Sequence, residues 1–111
     1  MKLAIIIYSN DAETVWNAFR LGNTALDKDD EVTIFLLGEG VECVTINSIK
    51  FNIKVQMELF SEYKGNLIGC GVCCDLREDK MPSLREDLHC KMGSMQTLYK
   101  IIRDHDKVLT F

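Results

Sequence analysis

Proline is nearly missing from this chain, with one, Pro82, in 111 residues; tryptophan occurs once and histidine twice. No apolar run approaches the roughly 18 residues of a membrane-crossing helix. Leu3 to Tyr8 is too short, follows a single lysine, and has no small-residue cleavage site behind it. Basic charge is also scarce. Thirteen Lys and Arg stand against 17 Asp and Glu, a formal net charge of −4, with no basic cluster, so the electrostatic footprint of a nucleic-acid or anionic-membrane surface is missing. No repeat, linker or low-complexity stretch divides the chain. With 47% apolar and 27% charged residues, its composition is that of one folded domain rather than of disorder. We therefore expect a single domain over residues 1–111, no nucleic acid or membrane partner, and a cytoplasmic location.

Cysteine, by contrast, is abundant: Cys43, Cys70, Cys73, Cys74 and Cys90. An odd count without a secretory signal argues against a disulfide framework and for thiol, redox or metal chemistry in a reducing compartment.

Hydrophobic periodicity supplies the scaffold for these cysteines. Lys2 to Tyr8 reads as a strand buried on both faces. Asn10, with Glu13 three residues on, is the expected cap of a helix carrying Ala12, Val15, Trp16 and Phe19 to about Leu26. Gly22 inside it either marks close contact with the sheet or is simply tolerated there. Glu31 to Leu37 is a second buried strand, parallel to the first across a right-handed crossover. Gly38-Glu39-Gly40 lacks the third glycine of a dinucleotide fingerprint and reads as a turn. Residues 41–64 are ambiguous; a helix from about 53 to 64 is favoured, with Asn52 as cap, Gly65 as stop, and Val55, Leu59, Phe60 and Tyr63 as its face. The apolar segment Ile46 to Ile53 is expected to supply a subunit interface. Asn66 to Cys70 is a third strand and Gly71 begins a helix; Pro82 ends it or starts another turn. Leu88 to Lys91 is a candidate fourth strand. Ser94 caps a helix with Met95, Leu98, Tyr99 and Ile102 in register, His105 complements its carboxyl end, and Lys107 to Phe111 closes the chain. The expected fold is α/β, a three-layer α/β/α domain on a mostly parallel sheet of about five strands.

In open α/β folds ligands bind beyond the carboxyl ends of the strands. Cys70 sits at such an end and at the start of the next helix, where backbone N–H groups and the helix dipole stabilise a thiolate. It is the candidate nucleophile and the expected most reactive thiol. Cys73, in Cys70-Gly-Val-Cys73, is the candidate resolving thiol. Arg77, if its side chain folds back, is the candidate binder of an anionic sulfur species. Cys43 and Cys74 read as small buried hydrophobes. Two alternatives use the same residues. Cys70, Cys73 and Cys74 with His89 and Cys90 hold enough soft ligands for tetrahedral zinc, although two separated C-x-x-C pairs are missing; a C-x-x-C at a helix start also suits thiol–disulfide exchange. The β-α-β opening and the lone Pro82, nine residues past the motif, fit a thioredoxin fold badly. No metal and no organic cofactor is expected. No Ser-His-Asp or paired-carboxylate constellation emerges from the spacing.

Three segments resemble the DsrE/DsrF-like family of small sulfur-relay proteins: Leu67-Ile-Gly-Cys-Gly-Val-Cys-Cys-Asp-Leu-Arg77, Lys2-Leu-Ala-Ile-Ile-Ile-Tyr8, and Gly93-Ser-Met95 with Asp106-Lys-Val-Leu-Thr-Phe111. The resemblance implies a persulfide on Cys70, sulfur-donor and sulfur-acceptor protein partners, possible sulfurtransferase activity, and assembly as a homo- or hetero-oligomer, often a trimer or hexamer. The family often carries Arg-Gly after the cysteine helix, whereas here Arg77 precedes Glu78-Asp79. The rival class is a non-catalytic oligomeric module whose cysteines are structural or bind zinc.

Overall fold

The computed structural model describes residues 1–77 and 90–111. In chain order the elements are β1 (Lys2–Ile7), α1 (Ala12–Asp27), β2 (Glu31–Leu36), a 3-10 segment (Gly38–Thr45), α2 (Ile53–Glu62), β3 (Asn66–Cys70), α3 (Gly71–Asp75), β4 (Lys91–Gly93), α4 (Met95–Asp104) and β5 (Lys107–Thr110). The five strands form one sheet in the order β4-β3-β2-β1-β5, and every neighbouring pair is parallel. β1 and β2 are buried at every position but the first, which is why they read as nearly continuous apolar runs rather than alternating ones.

Layering follows from handedness. From β1 to β4 the chain steps one way across the sheet, so right-handed crossovers put α1 and α2 together on one face; β5 lies back at the far edge, which puts α4 on the other. The expected three-layer α/β/α architecture results. On the first face Phe19 meets Phe60 edge-on at 5.8 Å. Gly22 marks close contact with the sheet, since a Cβ there would lie 3.3 Å from the Phe60 ring and 3.4 Å from Ile34.

Several local expectations shift. The cap of α1 is Asp11, not Asn10: its carboxylate accepts both the Thr14 N–H at 3.0 Å and the Thr14 hydroxyl at 2.9 Å, and these bonds hold its pKa below the usual carboxylate value. Asn52 does cap α2, accepting the Val55 N–H. That helix, however, buries Ile53, Met57 and Phe60, while Val55 and Tyr63 face solvent. Its end is a Schellman turn in which Lys64, not a glycine, takes the left-handed conformation at φ 65°, with Gly65 N–H bonded to Phe60 O and Lys64 N–H to Ser61 O. Gly65 is needed for space instead: a Cβ there would stand 2.4 Å from the Phe60 ring.

The fourth strand is Lys91–Gly93. Leu88, His89, Pro82 and the Glu78-Asp79 pair lie outside the described residues. Ser94 caps α4 with Thr97 in a reciprocal box. On this helix Leu98 and Ile101 are buried, whereas Met95, Tyr99 and Ile102 are exposed. Segment 46–53 divides its apolar side chains between core and surface. Ile53 is buried, Ile46 packs on the core and Phe51 lies 5.3 Å from Trp16, leaving only Ile49 of these fully outside.

Candidate functional site

Parallel strands deliver their carboxyl ends to one edge of the sheet, and the site forms where β2 and β3 end side by side. Cys70, the last residue of β3, keeps an extended backbone and turns the chain into α3. Its sulfur caps that helix by accepting the Cys73 N–H at 3.3 Å. Cys73, one turn on, accepts the Gly38 N–H at 3.3 Å. Gly38 opens the segment after β2 with a left-handed φ of 55°, a conformation glycine adopts at little cost, and this turn aims its amide at the sulfur.

Two of the three expected site residues, Cys70 and Cys73, are brought together, with the Cys73 backbone N–H on the Cys70 sulfur. Their exposure is unequal, since Cys70 is 3% exposed and Cys73 is half-buried. Burial pushes the Cys70 thiol above the ordinary cysteine value, and the Cys73 side chain adds to the rise, while the backbone N–H groups of Cys73 and Val72 pull the other way. The helix start thus supplies the expected donors, but desolvation opposes them.

Arg77 folds back as expected, though not as a free anion binder. Its Nε donates to Glu42 at 2.8 Å and its Nη1 to the Cys73 carbonyl at 3.0 Å. The Glu42 carboxylate holds the guanidinium pKa above its ordinary value. The pair therefore straps the 3-10 segment to the end of α3. Sequence reasoning missed Gly38 and Glu42 as parts of the site. The available signal was topological: parallel β2 and β3 must end on the same edge, so the segment after one lies beside the helix after the other.

Cys43 and Cys74 are buried, as expected, and so is Cys90. Burial, with a smaller effect of Cys90, pushes the Cys43 thiol up to about 12; burial followed by Cys74 does the same to Cys90, also to about 12. At neutral pH both are protonated and inert. Their neutral forms stabilise the fold fully below the unfolded cysteine value near 9.0, and that contribution is lost as pH rises from there toward 12. Two results are expected. Iodoacetamide at neutral pH labels the Cys70–Cys73 pair before Cys43 or Cys90, and the urea midpoint falls between about pH 8 and about pH 10 less steeply in a Cys43→Ala, Cys90→Ala variant. Peptide mapping and denaturation check them; early labelling of Cys43 refutes the first, and equal slopes the second.

Among the described residues no three His, Cys, Asp or Glu side chains are arranged to hold a metal ion. His89, a ligand in the zinc alternative, lies outside them. No described helix is long and apolar enough to cross a membrane. His105 lies at the other edge of the sheet, its Nδ1 on the Ile101 carbonyl and its Nε2 on the Thr33 hydroxyl.

A family model described as the DsrE/DsrF-like family matches residues 1–111. The uncharacterized protein MJ0989 of Methanocaldococcus jannaschii is 31% identical, with all of both chains covered. Among solved structures, the ychN protein from E. coli superposes with a TM-score of 0.79 at 22% identity, covering 100% of both chains. A conserved protein of unknown function from Bacteroides thetaiotaomicron, BT1422, gives 0.81 at 18% identity over 99% of this chain and 94% of its own.

Proposed function

The chain belongs to the DsrE/DsrF-like family, and from that premise we propose that it is an intracellular, cytoplasmic sulfur carrier of sulfurtransferase type that accepts a persulfide sulfur at Cys70 and passes it on. One observation carries the reading: the Cys70 sulfur caps α3 at the carboxyl end of β3, with the Cys73 amide on it at 3.3 Å. Backbone N–H groups so placed stabilise negative charge on sulfur during transfer. A donor persulfide gives up its outer sulfur to a thiolate, an acceptor thiolate later removes it, and each step exchanges one S–S bond for another. Neither step calls for a metal or an organic cofactor. Sulfur-donor and sulfur-acceptor proteins are the partners this chemistry implies.

The test is intact-protein mass spectrometry after incubation with a persulfide donor, with the added sulfur mapped to its peptide. Gain of one sulfur atom on the peptide containing Cys70 is expected. Loss of two hydrogens without sulfur would instead mark a dithiol oxidoreductase, and no change at all would leave the structural-module reading.

The carrier is further proposed to act as a homo-oligomer, a trimer or hexamer. Met95, Tyr99 and Ile102 form an exposed stripe on α4 at i, i+4, i+7, and Val108 and Leu109 on the edge strand β5 are also partly exposed; a second copy covering them would remove apolar surface from water. Light scattering at micromolar concentration is expected to give a multiple of the monomer mass, and Tyr99→Glu with Ile102→Glu is expected to return it to monomer. A wild type that is monomeric under those conditions removes the assembly from the proposal.

A further inference from the structure

Cys70 has the donors a sulfur anion needs but almost no access, and access governs thiol–disulfide exchange as strongly as acidity does. At 3% exposure Cys70 presents little surface to a thiol persulfide carried on another molecule. The structure offers a neighbour that presents more. Cys73 is half-buried, its backbone N–H lies on the Cys70 sulfur at 3.3 Å, and its own sulfur has a backbone donor in Gly38 N–H at 3.3 Å. Val72 and Leu76, on α3 and at its carboxyl end, are 68% and 80% exposed, so apolar surface lies beside this outer thiol.

From this arrangement we infer that Cys73 is the port through which sulfur reaches Cys70: persulfide sulfur lands first on the outer thiol and is then handed to the inner one. The inference rests on the carrier reading of Cys70 and assigns Cys73 a role in loading rather than in resolution alone. In the first step the Cys73 thiolate attacks the outer sulfur of a thiol persulfide. The donor's S–S bond breaks, its thiolate leaves, and Cys73-S-SH forms. In the second step Cys70 attacks the outer sulfur of that group; the S–S bond on Cys73 breaks, Cys70-S-SH forms, and the proton of Cys70 passes to the Cys73 sulfur. Sulfane sulfur is neither oxidised nor reduced overall, so no further reagent is required.

Gly38 N–H and Cys73 N–H divide the work. The first meets the charge on the outer sulfur when Cys73 leaves or attacks, and the second meets it on Cys70. The Glu42–Arg77 strap, through the bond from Arg77 Nη1 to the Cys73 carbonyl, holds the outer cysteine against the Gly38 amide. Arg77 is thereby a positioning residue.

Glutathione persulfide serves as the probe, with samples alkylated at successive times and the cysteine peptides mapped by mass spectrometry. In the wild type, sulfur is expected on Cys73 at the earliest times and on Cys70 later. Cys70→Ser is expected to load at Cys73 only. Cys73→Ser, and Cys73→Ala as a second variant, are expected to load Cys70 at least about tenfold more slowly while reaching the same end point, because the inner thiol then depends on opening of the site. Loading of Cys70 at the wild-type rate in both Cys73 variants overturns the port and leaves Cys70 as carrier. Failure of the wild type to place sulfur on Cys70 at any time overturns the carrier reading, and the port with it.

Discussion

Replacing Cys70 by serine is expected to reduce the sulfur that survives a thiol wash from near one atom per chain to background. The comparison is between a buried and a half-buried position. Cys70 is 3% exposed, so a persulfide there is shielded from small thiols, whereas one on Cys73 is open to attack and is stripped. In Cys70→Ser the fold should survive, because a serine hydroxyl accepts the Cys73 N–H as well as the thiol does and serine is a preferred helix cap. Loss of retained sulfur is then a loss of the store and not of structure. Cys73→Ser is expected to keep its sulfur through the same wash. The measurement is intact mass before and after excess glutathione, with circular dichroism to confirm folding. Retention in Cys70→Ser equal to wild type would show that the store lies elsewhere.

The largest expected loss of stability comes from a glycine, not from a cysteine. A Cβ on Gly40 would lie 1.9 Å from the Ile7 carbonyl oxygen and 2.7 Å from its carbon. That oxygen is already bound by the Leu37 N–H at 2.9 Å, the bond that follows the β1–β2 ladder. Neither backbone can yield without the 3-10 segment lifting from the end of β1. Lifting it would expose Val41 and Cys43, both essentially fully buried, and would withdraw the Gly38 amide and Glu42 from Cys73 and Arg77. Gly40→Ala is expected to cost about 3 kcal/mol or more, at the upper end of overpacking penalties.

Gly38→Ala makes the control in the same urea titration. Nothing lies within 4 Å of a Cβ at that position and only its φ of 55° opposes the change, so about 1 kcal/mol is expected. Equal midpoints for Gly40→Ala and wild type would mean that the segment accommodates the methyl group and that its packing on β1 is looser than the contacts imply.

Local sequence determined the elements and their type. Nearly continuous apolar runs rich in β-branched residues at Leu3–Ile7 and Val32–Leu36 read as two-sided strands, and Asn52 and Ser94 name their helix starts because a side-chain oxygen there reaches an amide only three residues away. Cys70 at the junction of β3 and α3 was legible for the same reason, since strand end, cap and helix start are consecutive in the chain. The parallel sheet followed from β-α-β connectivity and handedness. Tertiary structure decided what periodicity leaves open. In α2 and α4 the sequence offers two adjoining apolar stripes, and only docking on the sheet selects Ile53, Met57 and Phe60, or Leu98 and Ile101, leaving Val55, Tyr63, Met95, Tyr99 and Ile102 outside. The unequal burial of Cys70 and Cys73, the Gly38 amide on Cys73 and the Glu42–Arg77 pair likewise join residues about 35 positions apart. Burial and amide direction depend on how the segment after β2 packs against the helix after β3, and no spacing along the chain encodes that packing.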